Sequence, residues 1–436
     1  PTVTKVEPGA IIAGEEAVVT GTGFMNGTAK STVKVGGNSA ASTTFTYVVN
    51  TDTKITITGG TGNIADGQIV VTDPAANAST SNVKMTIDNV NPTVTEVATA
   101  SIKNGSTTVI TGTGFRTTVD GAFEDANTAF TGNDAGTDIA VKVGGNIPAG
   151  MTFKVNSATQ ITVTAGAGEA TEKLDVTVTD RAGNTSVETG KILTIDNTAP
   201  VLQSVSVPSI KSSSTATLLG SGFLVGGDLP ANAVKIAGAT PTGMTYGTVA
   251  STSLVITAGT GEVADGLITV EDAAGNVSTS LVYLTIDNTL PTVNSVGTAA
   301  IRSGQTSVIG GTGFLNSTPN SKQTIDIQGV KLSENVITGL TWATNSATQL
   351  TLTAGAGEVT NANLTVRDYA GNWSTSTGQN LIIDNTAPVI TAISDRWIRN
   401  GETTVITGTG FQEFGGNASA ITIGGTDLAT AVGAGG

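Results

Sequence analysis

The sequence predicts an all-β chain of tandem sandwich domains, and two observations carry that prediction. Three separate motifs recur in step along the chain. Between them lie short runs that alternate apolar and polar residues, bounded by glycine.

The repeat comes first, because a period of this length dictates the architecture. "TGTGF" ends at Phe24 and Phe115, and related segments end at Phe223, Phe314 and Phe411. "TIDN" or "IIDN" places an aspartate at Asp88, Asp196, Asp287 and Asp384. "D-x-A-[GA]-N-x-S" starts at Asp73, Asp180, Asp272 and Asp368. Each unit opens on a proline, which divides the chain into 1–91, 92–199, 200–290, 291–387 and a shorter fifth unit, 388–436. The fifth holds the front half of the pattern and stops after "ITIGG", either cut there or completed by another chain. The extra length of the second unit falls in one place, an insertion over 116–140.

Within the second unit, Ile139, Val141 and Val143 share one parity, as do Ile161 and Val163, and Leu174, Val176 and Val178. A period of two with one apolar face is the signature of a half-buried strand. The strand before the third motif repeats this in every unit, at Ile69 and Val71, Val176 and Val178, Ile268 and Val270, and Leu364 and Val366. Glycine pairs at the run ends supply the positive φ that tight turns need. About seven short strands in each ~100 residues amount to an immunoglobulin-like β-sandwich. The phenylalanines of "TGTGF" read as core anchors. The front half of each unit, "G-x-T-x-V-x-T-G-T-G-F … V-x-V-G-G … T-Q-I-T-V-T-A-G", resembles the IPT/TIG family. The back half, "V-T-D-x-A-G-N-x-S … I-D-N-T-A-P", is similar to bacterial Ig-like repeats of large surface proteins. Together the two resemblances cover nearly the whole chain. They imply a structural or adhesive module outside the cell and carry over no catalytic residue.

Composition narrows the function. There is no cysteine and no histidine among the 436 residues. That excludes disulfide frameworks and thiolate metal sites, and removes the usual general base; we read the chain as a non-enzyme. The net charge of −14 repels phosphate backbones, so nucleic acid is not an expected partner. No run reaches the ~18 apolar residues of a membrane span. The chain opens on a repeat boundary with no signal peptide, as a mature chain or a segment of a longer one would.

The seams are short. Only about three residues part the aspartate of "TIDN" from the next proline, which fixes its own φ and restricts its neighbour. Stiff joints between sandwiches ~33 Å long predict a rod-like array of roughly 150 Å.

Three sets of candidate sites follow. Asp88, Asp196, Asp287 and Asp384 stand at the seams, each beside an asparagine (Asn89, Asn197, Asn288, Asn385), with Glu169, Glu262 and Glu358 of the "AGxGE" loops in the same units. Oxygen donors of this kind suit Ca²⁺; the same Asp and Asn also suit plain Asx-turns before proline. The insertion gathers Asp120, Glu124, Asp125, Asp134 and Asp138, either a contact or cation loop or a solvated acidic loop. Asn77, Asn184, Asn276 and Asn372 fall in N-x-S sequons, and further N-x-S/T sequons begin at Asn26, Asn104, Asn316 and Asn417; alternatively the asparagine simply shapes the turn. The expected role is a cell-surface structural protein: a surface-layer or extracellular filament subunit that self-associates. The alternative is the stalk of a large adhesin. A carbohydrate-binding array, with cell-wall or surface glycan as partner, ranks below both, because Trp342, Trp373 and Trp397 are scattered.

Overall fold

The computed structural model describes residues 1–115, 130–131, 139–225, 227–318, 323–375, 377–411 and 420–427. Every regular element among these is a β-strand, as the alternation predicts, and no helix long and apolar enough to cross a membrane occurs among them. The insertion acids Asp120, Glu124, Asp125, Asp134 and Asp138 lie outside the described residues.

Each of the first four units is two sheets packed face to face. In the second, Thr93–Val97, Thr107–Thr113, Gln160–Thr164, Thr152–Ser157 and Phe130–Thr131 neighbour one another in that order. The opposing sheet runs Ser101–Ile102, Ile192–Ile195, Ala170–Thr179, Ala140–Val143. The chain leaves the first sheet after Val97 and joins the second at Ser101, where it pairs parallel to the closing strand. All four units repeat this parallel pairing. Two-residue strands are too short to show alternation, so the sequence did not predict this step. A register shift near the start of the first strand recurs in all five units.

The alternating positions form four separate cores, one per unit. Val71, Val178, Val270 and Val366 are fully buried, and so are Phe24, Phe115, Phe223 and Phe314. The glycines of "TGTGF" have two distinct jobs. A Cβ on Gly112 would lie 1.8 Å from the Thr93 carbonyl oxygen and 2.5 Å from the Phe115 ring. That glycine lets the first strand and the ring close over it. Gly114 has φ +73°, and its Cβ would stand 3.1 Å from Cα of Pro92. The motif thereby seats the proline that opens its own unit.

The fifth unit departs from the pattern. Val389–Ile393 pairs with Ile406–Thr409, but no second sheet covers them among the described residues. Ile390 is 56% exposed and Phe411 38%, where their counterparts Val94 and Phe115 are at 2% and 1%. Among the described residues no strand packs over Phe411.

Candidate functional site: the seams between units

The closing strand of each unit runs into the seam aspartate. The Asp88 amide donates to the Ile11 carbonyl at 3.0 Å, and Asp196, Asp287 and Asp384 repeat the bond to Ile102, Ile210 and Ile301. One carboxylate oxygen then accepts the amide two residues on. Asp88 accepts from Val90 at 3.0 Å, Asp196 from Thr198 at 2.9 Å, Asp287 from Thr289 at 2.9 Å and Asp384 from Thr386 at 2.8 Å. These are Asx-turns.

The seam asparagines clamp their own unit. Asn197 Oδ1 accepts the Asn104 amide at 2.6 Å while its Nδ2 donates to the Gly166 carbonyl. Asn89, Asn288 and Asn385 do the same. The glutamates accept seam threonine hydroxyls: Thr198 to Glu169 at 2.7 Å, Thr289 to Glu262 at 2.9 Å, Thr386 to Glu358 at 2.8 Å. In the first unit Asn63 substitutes, accepting the Asn89 amide. The asparagines and glutamates grouped with the seam aspartates from sequence are engaged in holding the turn. Among the described residues no three acidic side chains converge on a common metal position.

The third motif supplies what the sequence did not reveal. The hairpin of each following unit lies against the seam of the one before. Asn184 Nδ2 donates to the Asp88 carbonyl, Asn276 Nδ2 to the Asp196 carbonyl and Asn372 Nδ2 to the Asp287 carbonyl, each at 2.9 Å. The same nitrogens donate to the hairpin's own aspartates, Asp180, Asp272 and Asp368, at 2.9–3.0 Å. A reciprocal bond returns from the earlier unit: Lys103 Nζ to the Gly275 carbonyl at 2.5 Å and Lys211 Nζ to the Gly371 carbonyl at 2.8 Å. At the first seam Ile12 occupies the lysine's position and packs with Ala10 against Ala182.

The first unit shows the same hairpin with no unit against it. Asn77 is exposed, yet its Nδ2 still donates to Asp73 at 2.9 Å, and Asp73 accepts the Ala75 and Asn77 amides at 2.9 and 2.8 Å. The Asn-to-Asp bond of the hairpin is thus the same here as where a neighbouring unit lies against it.

Three of the four sequon asparagines are engaged at the seams. The nitrogens of Asn184, Asn276 and Asn372 that a glycan would modify each hold two acceptors inside a seam. The sequon serines are buried too, and their hydroxyls accept the amides of Val178, Val270 and Val366. Asn77 alone of the four presents its side chain to solvent. The tryptophans form no platform: Trp342 packs on the fourth core, Lys331 covers Trp373, and Trp397 stands alone in the fifth unit.

Docking also changes the electrostatics. Half-buried Asp73 is held below the usual carboxylate range, chiefly by the Asn77 side chain. Burial lifts Asp180 to about 6 against the bonds from Asn184, and the neighbouring Asp88 charge adds to the rise. Burial likewise raises Asp368, although the Lys211 charge opposes it. Asp196 is raised first by burial, and then by Asp272 and Glu169. A pH dependence follows. Asp180 holds its proton more tightly folded than unfolded, where aspartate titrates near ~3.9. Its contribution is therefore greatest below about pH 4 and is lost as pH rises to about 6. At ~1.4 kcal/mol per pH unit the full span is at most about 3 kcal/mol. In chelator, calorimetry of the chain is expected to show the first seam strengthening from pH 7 to pH 5.

No family model matches the chain, and no curated protein matches it. Solved structures with related folds do. One is the plexin A4 extracellular region, 12% identical, with a TM-score of 0.29, covering 99% of this chain and 41% of that one. Another is the Bacteroides ovatus mixed-linkage glucan locus protein SGBP-B in complex with a heptasaccharide: 16% identical, TM-score 0.19, covering 72% and 76%. A third is the N-terminal eight Ig domains of Down Syndrome Cell Adhesion Molecule: 12% identical, TM-score 0.16, covering 88% and 49%. The chain thus spans less than half of the plexin chain. At such identities and scores the likeness carries no argument about function. What the chain's own strands and sheets establish is an all-β array of immunoglobulin-like sandwiches.

Proposed function

We propose that the chain is a non-enzymatic structural segment of a cell surface, part of a surface layer or an extracellular filament or sheath. The observation that carries this reading is the repeated seam. Three successive junctions are fastened by the same asparagine-to-carbonyl bond, two of them with a lysine returning in the opposite direction. Paired seam bonds of this kind transmit load and fix spacing, whereas a Gly/Ser linker lets domains tumble. Stability is then a sum of unit and neighbour terms. Self-association is the partner this role requires, and cell-wall or surface glycan is a second. The alternative is the stalk of an adhesin, which needs the same stiffness and no lattice. Electron microscopy of the purified protein, and of the surface that bears it, separates the two. An ordered lattice or filament supports the first reading; isolated rods under every condition support the stalk.

A further inference from the structure

An asparagine followed by glycine is open to attack by its own backbone, because glycine puts no side chain between its amide nitrogen and the asparagine's side-chain carbonyl. Two such pairs in this chain stand in comparable settings. Asn26–Gly27 and Asn104–Gly105 are both exposed. Both glycines have positive φ, +62° and +79°, and a Cβ on either would meet no atom within 4 Å. What separates them is the glycine amide. Gly105 donates to the Ala165 carbonyl at 2.9 Å, and the Asn104 amide donates to Asn197 Oδ1 at 2.6 Å, so this turn is pinned on both sides of the reacting bond. The first and fourth units make the same glycine bond, from Gly14 to Gly59 and from Gly304 to Ala354. Gly27 has no such bond among the described residues. It sits in the two-residue turn of a hairpin, Met25–Asn26 with Ala29–Lys30, that joins neither sheet of its sandwich. A hairpin on its own is marginally stable, so this backbone samples geometries that a pinned turn denies.

We infer that Asn26 is a site of spontaneous deamidation and that the fold spares Asn104. The Gly27 nitrogen attacks the Asn26 side-chain carbonyl carbon and closes a five-membered imide. The bond to Nδ2 breaks, and the Gly27 amide proton leaves with that nitrogen as ammonia. Water then opens the imide. Breaking the newly formed bond gives aspartate; breaking the original peptide bond gives isoaspartate, with the main chain rerouted through Cγ. One water is consumed and one ammonia released, and no oxidant, cofactor or enzyme is needed. Either product adds a negative charge and erases the Asn26 sequon. Isoaspartate also adds a backbone atom beside the Asn26–Ala29 pair that closes the hairpin. At Asn104 the same attack waits until the bond from Gly105 to Ala165 opens, which ties its rate to local opening of the second unit. The inference goes beyond the surface role, because it holds for a lattice subunit and for a stalk alike.

The test incubates the full chain in mildly alkaline buffer, with a parallel sample in guanidinium. Peptide mapping by mass spectrometry follows the one-dalton gain at each site, and chromatography separates aspartate from isoaspartate. Asn400–Gly401 of the fifth unit is mapped in the same runs and enters neither comparison. Asn26 is expected to convert at close to the same rate folded and unfolded. Asn104 is expected to convert about tenfold or more slowly when folded, since its rate then reports the small open fraction of its turn. In guanidinium the two sites should convert alike. The inference is overturned if folding slows Asn26 as much as Asn104, or if it slows neither. A difference between the sites that persists in guanidinium overturns it too, because neighbouring sequence rather than the fold would then set the rates.

Discussion

Gly220→Ala is expected to destabilise the third unit by about 3 kcal/mol or more, at the upper end of what overpacking costs. The new Cβ would sit 2.0 Å from the Val201 carbonyl oxygen and 2.6 Å from the Phe223 ring. Of these two neighbours only the ring can move, and it is fully buried. The carbonyl belongs to the opening strand, whose Val201 pairs with Ser221 immediately beside the glycine. The clash can be relieved only by pulling that strand away. Phe223→Ala should cost a comparable ~3–5 kcal/mol through the cavity it leaves. The double variant should be less destabilised than the sum, because removing the ring frees one of the two clashes. Each core belongs to one unit, so differential scanning calorimetry should show a single displaced transition with the others in place.

Asn276→Ala is expected to open the second seam without unfolding either neighbour. The side chain holds the Asp196 carbonyl and Asp272 Oδ2, and its loss leaves both acceptors without that donor. An unsatisfied buried acceptor costs ~1–3 kcal/mol, and more when charged, so about 3 kcal/mol of docking is at stake. The hairpin itself should survive, because Asp272 Oδ1 still accepts the Ala274 and residue-276 amides. Hydrogen exchange should therefore accelerate in the seam while the core strands of units two and three stay protected. The effect at the first seam should be smaller for any lysine-directed change, since Ile12 stands where Lys103 and Lys211 act.

The fold was legible because it is repeated. A parity pattern such as Val176 and Val178 is weak in one copy and decisive in four. The phenylalanine anchors Phe24, Phe115, Phe223 and Phe314 were legible for the same reason. The seam was only half legible. Asp88, Asp196, Asp287 and Asp384 stood out, and the Asx-turn reading describes one of their oxygens correctly. Their partners did not stand out, because a contact between units joins residues some eighty to a hundred positions apart, as from Asn276 to Asp196, and no local period records it. The signal that was available lay in the third motif. Its Asn recurs in every full unit although glycine alone would make the turn, and the first unit makes do with Ala76 at φ +69°. An asparagine retained where the turn does not require it marks a second task. The sequon pattern concealed that task, since the serine at the third position is kept for its bond to a strand amide.

Hydrogen-bonded seams should make the units one stiff array. A distance measurement between neighbouring units tests it most directly. The chain has no cysteine, so Val187→Cys in the second unit and Leu281→Cys in the third, at positions 67% and 77% exposed, accept spin labels cleanly. Pulsed dipolar spectroscopy on this pair should give one narrow distance distribution, which broadens when Asn276→Ala is added. A broad distribution in the parent, unchanged by that substitution, would contradict the account and leave the units as beads on a flexible chain.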